Sequence, residues 1–220
     1  MASDRRFVLY AGLAVTPAAR GRAPAERIAA AAEAERALEG VTVRGSYSLA
    51  GFRAEADMLL WLVGDSADAL QDALVAFRHT ELGRQLEVWW SAIGVHREAE
   101  FSPDHMPAFL KGEPPGRYIC VYPYVRSLEW YLLPAQERRA MLGEHGRMGR
   151  EQPEVLANTV AAFALGDYEW LLAFEAESPE PLVDLMRRLR EAQARRHTRH
   201  ELPFLTGIRK PLADVAADLP

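Results

Sequence analysis

Asp57–Phe77 reads DMLLWLVGDSADALQDALVAF, and Glu169–Leu189, EWLLAFEAESPEPLVDLMRRL, can be laid on it without a gap. Each stretch opens with an apolar run of strand length, reaches a serine (Ser66, Ser178), and places an acidic residue two positions on (Asp68, Glu180). Apolar residues at helical spacing follow: Leu70, Ala73, Leu74 and Phe77 in the first copy, Leu182, Leu185, Met186 and Leu189 in the second. A serine just before such a run is a helix N-cap signal, so a strand followed by a capped helix is expected twice.

Working outward, Phe7–Val15 suits a strand, Ala25–Leu38 a helix stopped by Gly40, and Val41–Leu49 a strand, while Gln85–His96 closes the first half as another strand. Around the second copy, Tyr118–Val125 suits a strand, Pro134–His145 a helix, Val155–Leu165 and Tyr168–Ala176 two strands, Pro179–Ala194 a helix, and Leu202–Ile208 a last strand. Both halves then read βαββαβ, the ferredoxin-like order. The expected class is α+β, with two ferredoxin-like halves forming a dimeric α+β barrel within one chain. The expected partition is residues 1–97, a linker loop at 98–116, and 117–220. The linker carries Pro103, Pro107, Gly112, Pro114, Pro115 and Gly116, with His105 in its middle. Long loops of this kind are often functional.

The chain has 220 residues with a net charge of −5 from 26 basic and 31 acidic side chains, which argues against nucleic-acid binding. The basic run Arg187–Arg199 reads as a solvated helix face. Cys120 is the single cysteine and excludes an internal disulfide or a cysteine-based zinc cluster. The N-terminal apolar run is too short for a signal or a membrane span, and a reducing, cytoplasmic location is expected.

The residues with chemical potential gather in Tyr118–Gly149, YICVYPYVRSLEWYLLPAQERRAMLGEHGRMG. Alternation on a strand puts Tyr118, Cys120, Tyr122 and Tyr124 on one face. On the following helix Met141 and Leu142 precede His145 by four and three residues, so the imidazole continues a buried apolar stripe that stops at Gly146. Tyr122 and His145 are thereby expected to face one cavity. Taken alone, a histidine ending an amphipathic helix is more often a core residue or a partner of the helix dipole, and an inward tyrosine more often packing. No pair of His, Asp or Glu has zinc-site spacing with a third ligand nearby; His197 and His200, flanked by arginines and followed by Glu201, read as a solvated polar edge. Neither a phosphate-cradling glycine loop nor a nucleophile elbow is present, and Asp104 beside His105 has no poised serine or cysteine. What remains is one strong histidine ligand opposite aromatic residues. That set suits haem iron, whose macrocycle supplies four nitrogens, and equally a barrel holding a small apolar ligand.

The stretches WYLLPAQERRAMLGEHG and GDYEWLLAFEA are long and distinctive. Through them, and over nearly the whole length, the chain resembles the coproheme decarboxylases of actinobacterial type within the chlorite dismutase superfamily. The resemblance implies hydrogen peroxide-dependent oxidative decarboxylation of two propionates of Fe-coproporphyrin III (coproheme) to vinyls, giving haem b, the last step of the coproporphyrin-dependent haem biosynthesis route. It implies a homopentamer and transient contact with a coproporphyrin ferrochelatase. By position it makes His145 the iron ligand, Tyr122 the redox-active tyrosine beside a reactive propionate, His105 the distal base, Arg126 a propionate-binding residue, and Trp130 a secondary site for oxidising equivalents. Chlorite-detoxifying members place an arginine, and other decarboxylases a glutamine, where Ala157 stands, with Asn158 beside it. Ala194 occupies the place of a glutamate that strengthens the proximal histidine in chlorite-converting members. A haem-b peroxidase, a chlorite dismutase-like enzyme, and a haem carrier or sensor without turnover are the competing readings.

Overall fold

Met58–Gly64, MLLWLVG, is buried along almost its whole length, which places it inside a sheet with both faces covered. The computed structural model describes residues 6–101 and 106–220. In chain order the elements are β1 (Phe7–Val15), α1 (Pro24–Ala37), β2 (Thr42–Ser48), β3 (Met58–Gly64), α2 (Ala67–His79), β4 (Leu86–Val95), β5 (Tyr118–Arg126), α3 (Ala135–Gly149), β6 (Leu156–Ala161), β7 (Trp170–Ala176), α4 (Glu180–Leu189), β8 (Thr198–His200), β9 (Leu205–Lys210) and α5 (Leu212–Asp218). Contacts divide them into two units. One runs to His96 and takes in Leu205–Pro220; the other is Arg97–Phe204.

In the first unit the strands pair antiparallel in the order β4, β1, β3, β2, β9. Inward residues of β1 (Leu9, Ala11, Leu13, Val15) and β3 (Met58, Leu60, Leu62) join the buried faces of α1, α2 and α5 in one core. Arg27, fully buried on α1, donates to the carbonyl oxygens of Ala19 (2.7 Å), Leu219 and Pro220 (2.6 Å) and so ties the C-terminal helix to α1. In the second unit the order is β6, β7, β5, β8. Numbered within each unit, both sheets have the ferredoxin-like order four, one, three, two. The expected duplication is therefore present in the connectivity, and β3 and β7 fall on the same stretch of the alignment that suggested it.

Two expectations at the end of the second half are corrected. The strand expected at Leu202–Ile208 is β9, Leu205–Lys210, and it pairs with β2 of the first unit (Ser46↔Lys210, Ser48↔Ile208), so contacts end the second unit at Phe204, not at Pro220. Gly207 lets it lie there: a Cβ at that position would meet Leu49 Cδ2 at 2.8 Å and Tyr47 Cβ at 2.9 Å. The three-residue β8, whose polar sequence carries no strand signal, pairs with the end of β5 (Val125↔His200, Arg126↔Thr198). The helix expected over Pro179–Ala194 stops at Leu189, with a 3-10 turn at Gln193–His197, so the basic run is not one helix face. The serine caps also diverge. Ser66 Oγ accepts from Ala69 N at 3.1 Å, whereas α4 starts at Pro179 without a side-chain cap and Ser178 hydrogen-bonds the Glu180 carboxylate.

Candidate functional site

β5 is the floor of the site. Its register with β7 (Cys120↔Phe174, Tyr122↔Leu172) puts Cys120, Tyr122, Phe174 and Leu172 on one face, and α4 covers that face with Leu182, Leu185, Met186 and Leu189. Ala157 joins the same cluster because it pairs with Phe174; Asn158, paired with Ala173, lies on the opposite face. Asn158 is instead an internal brace: its Oδ1 accepts from Phe109 N (2.9 Å) and its Nδ2 donates to Ala173 O and Glu175 Oε2 (both 3.1 Å).

Tyr122 is 4% exposed. Its ring stacks on Phe204 (centroids 4.5 Å, planes 19° apart), meets Phe174 edge-on at 5.9 Å, and its hydroxyl donates to Met186 Sδ at 3.8 Å. Burial pushes the phenol well above its ordinary range, with the neighbouring Cys120 and Glu201 adding to the effect, so it stays protonated at any working pH. Tyr124, two residues on and on the same face, is bound differently: its hydroxyl contacts Thr198 Oγ1 at 2.8 Å and accepts from Arg126 Nη1 at 2.7 Å.

Arg126 links the elements of the site. Its Nη1 also donates to Ala194 O at 3.2 Å, its backbone N–H donates to Glu169 Oε2 at 2.8 Å, and its guanidinium lies 4.1 Å from the ring centre of Trp130 and 4.8 Å from that of Tyr124. Burial lowers its affinity for the proton, yet no side-chain carboxylate is hydrogen-bonded to the guanidinium among the described residues, which leaves the charge free to meet an anion. Trp130, 3% exposed in the 3-10 turn Trp130–Leu132, packs on that guanidinium and tilts against His197 at 5.4 Å. His197 Nδ1 in turn contacts Ser127 Oγ at 3.1 Å, so this histidine belongs to the wall of the site and not to a solvated edge.

His145 lies on α3, which packs against α4 and the Gln193–His197 turn and is tied there by Glu144 Oε2 accepting from Gln193 N at 2.8 Å. The helix departs from expectation twice. It runs through Gly146 to Gly149, and none of its side chains is fully buried: Met141, Leu142 and His145 are all half-buried. Burial first, and then the positive charge of Arg126, lower His145 to about 4, so the imidazole is neutral with a lone pair to give. It has no hydrogen bond from its side chain among the described residues. Tyr122 and His145 thus belong to one unit; Arg126 hydrogen-bonds Tyr124 on the Tyr122 face and lies near enough to His145 to act on it electrostatically, but Tyr122 sits in packed surroundings and not in an open cavity. A cavity of about 330 Å³ lined by Val75, Arg78, His79, Gly83, Arg84 and Leu86 includes neither. His105 lies outside the described residues. Just after it, Ala108 N donates to Ala157 O at 3.2 Å, which fastens that part of the loop to β6.

The depressed value fixes a pH dependence. Because His145 is harder to protonate in the native state than in the unfolded chain, its contribution of at most about 3 kcal/mol is complete above about pH 6.5 and is lost as pH falls through about 4. An NMR titration of the imidazole is expected to show a midpoint near 4. A midpoint near the ordinary value would contradict the arrangement.

Among the described residues no three His, Cys, Asp or Glu side chains form a group able to hold a metal ion. A metal held through His145 therefore needs most of its ligands from elsewhere. A flat, largely apolar macrocycle that brings four ring nitrogens and carries carboxylates fits the set present: one neutral imidazole, a half-buried apolar helix face, and a guanidinium without a carboxylate. Ala194 is buried in the turn that packs against α3, and its carbonyl accepts from Arg126 Nη1. Sequence reasoning missed Met186, Phe204 and Glu201. Met186 was visible only as one more apolar position of α4, and Phe204 as a position inside the strand expected at Leu202–Ile208.

A sequence-family model described as chlorite dismutase matches residues 22–210. The coproheme decarboxylase of Mycolicibacterium smegmatis is 52% identical over 221 residues, covering 99% of this chain and 96% of that protein. That of Thermus thermophilus is 26% identical over 175 residues, covering 74% and 70%. A solved structure of chlorite dismutase from Candidatus Nitrospira defluvii in complex with imidazole superposes with a TM-score of 0.84 at 24% identity, covering 96% of this chain and 93% of that one, which is a likeness of fold. No helix among the described residues is long and apolar enough to cross a membrane. With the family model spanning most of its length and a relative above half identical from end to end, the chain belongs to the chlorite dismutase family.

Proposed function

We propose that this protein is a hydrogen peroxide-dependent coproheme decarboxylase, converting two propionates of Fe-coproporphyrin III to vinyls and yielding haem b in the last step of the coproporphyrin-dependent route. What carries the reading is the 52% identical relative named for this activity, and it is supported by a neutral His145 with Arg126 close enough to act on it and hydrogen-bonded to Tyr124 on the face of Tyr122. His145 would hold the iron through its neutral imidazole, Arg126 would receive a propionate, and His105 would take a proton from the incoming peroxide. When bound, the iron porphyrin supplies the centre at which hydrogen peroxide is reduced to two waters. Tyr122 gives up a hydrogen atom and regains one from the β-carbon of the propionate. That propionate then yields a second electron and carbon dioxide and becomes a vinyl group. Per propionate, two electrons and one proton leave the substrate, and peroxide accepts the electrons. Trp130, buried against the Arg126 guanidinium, is a secondary holder of oxidising equivalents.

The same reading includes a homopentamer, a cytoplasmic location and transient contact with the ferrochelatase that supplies the substrate. It is tested by loading the protein with coproheme, adding two equivalents of peroxide and weighing the pigment. A three-propionate species followed by a two-propionate product is expected. An unchanged mass would leave a carrier in place of an enzyme.

A further inference from the structure

The phenol of Tyr122 is walled by three groups from three places. Phe174 is on β7 and Met186 on α4, both regular elements, whereas Phe204 belongs to Glu201–Phe204, a stretch without helix or strand. That stretch is fastened at its first residue. Glu201 Oε2 accepts from Arg190 Nη1 (2.9 Å) and Arg195 Nη1 (2.6 Å), and Oε1 lies 2.8 Å from Arg190 Nη2. The Glu201 side chain is only 15% exposed. Burial alone would push its carboxyl up, but the two arginines outweigh that and hold it below the usual range, so it is a carboxylate in place. Glu201 and Arg190 are also close enough to act electrostatically on Tyr122.

Resting on the proposed function, a substrate propionate must come to a phenol that is covered in this conformation. Phe204 is the wall outside a regular element, and its segment is held by His200 Nε2 on Leu202 O (2.7 Å) and by one carboxylate gripped by two guanidinium groups, the chemistry a propionate would itself offer. We propose that Arg190 and Arg195 form a carboxylate-binding site beside Tyr122, that Glu201 is its internal occupant, and that a substrate propionate takes the place of Glu201, releasing residues 201–204 and unstacking Phe204 from Tyr122. Binding and exposure of the phenol are thereby one event. A porphyrin without a carboxylate in reach of the arginines leaves the tyrosine covered.

The test uses metal-free coproporphyrin III, followed by fluorescence quenching, and hydrogen exchange of the peptide containing residues 201–204. Glu201→Gln keeps the shape but weakens the internal competitor, so it is expected to bind the porphyrin about tenfold more tightly than the parent, about 1.4 kcal/mol. Its 201–204 peptide should exchange faster before any porphyrin is added, and in the parent addition of porphyrin should produce the same acceleration. Glu201→Asp, which retains the charge, should stay within about twofold of the parent and guards against a folding defect. Equal or weaker binding by Glu201→Gln, or a peptide that becomes more protected when porphyrin binds, overturns the displacement while leaving decarboxylation by the parent intact. Absence of metal-free coproporphyrin binding by the parent overturns the displacement, whereas only an unchanged coproheme mass after peroxide overturns the proposed function.

Discussion

Tyr122→Phe is expected to bind coproheme as the parent does and to decarboxylate it at least about a thousandfold more slowly, equivalent to about 4 kcal/mol of lost transition-state stabilisation. The substitution removes one oxygen. Its contact in the fold is the 3.8 Å hydrogen bond to Met186 Sδ, a weak acceptor, while the stack on Phe204 and the edge contact with Phe174 are kept. The cost to stability should therefore stay below about 1 kcal/mol. Tyr124 makes the contrast clear: its hydroxyl is held by Thr198 and Arg126 and serves to place a cation. Among the described residues the Tyr122 hydroxyl hydrogen-bonds no side chain but Met186, so a large loss of turnover on its removal would have to come from chemistry. Pigment mass after peroxide, with porphyrin affinity measured on the same protein, is the decisive pair of observations. Decarboxylation by Tyr122→Phe at the parental rate would remove the phenol from the reaction.

Much of this arrangement is legible in the chain because it is carried by local signals. Strand alternation around Tyr122, the aligned strands Met58–Gly64 and Trp170–Ala176, and the cap at Ser66 each depend on residues within a few positions of one another. What is not legible depends on distant pairing. The end of α4 at Leu189 has no Gly or Pro to mark it, since neither occurs between Val183 and Leu202, so the arginines continue a helical pattern past the point where the backbone turns. With that turn hidden, the convergence of Arg190 and Arg195 on Glu201 cannot be foreseen. The exchange of Leu205–Lys210 to the first unit is hidden for a similar reason: an apolar strand carries no indication of which sheet it completes. The half-burial of α3 is the more instructive departure. An amphipathic stripe predicts a buried face only if protein packs against it, and here Met141, Leu142 and His145 stay partly exposed, as a face that receives the proposed ligand would.

That half-buried face leads to the other large effect. His145→Ala is expected to weaken binding of the iron porphyrin about a hundredfold, roughly 2.7 kcal/mol, while changing the affinity for metal-free coproporphyrin less than about threefold. The two ligands share their carboxylates and ring, so contacts with Arg126 and the apolar face contribute equally to both and cancel in the comparison. Only the bond from the imidazole to the metal distinguishes them. The side chain gives up little else when truncated, because it is half-buried and has no hydrogen bond from its ring among the described residues. Its low proton affinity, about 4, also means that no proton competes with the metal near neutrality, so the difference between the ligands should be flat from about pH 6 to 8. Equal weakening of both porphyrins would make His145 a packing residue and would require another side chain in the fifth coordination position.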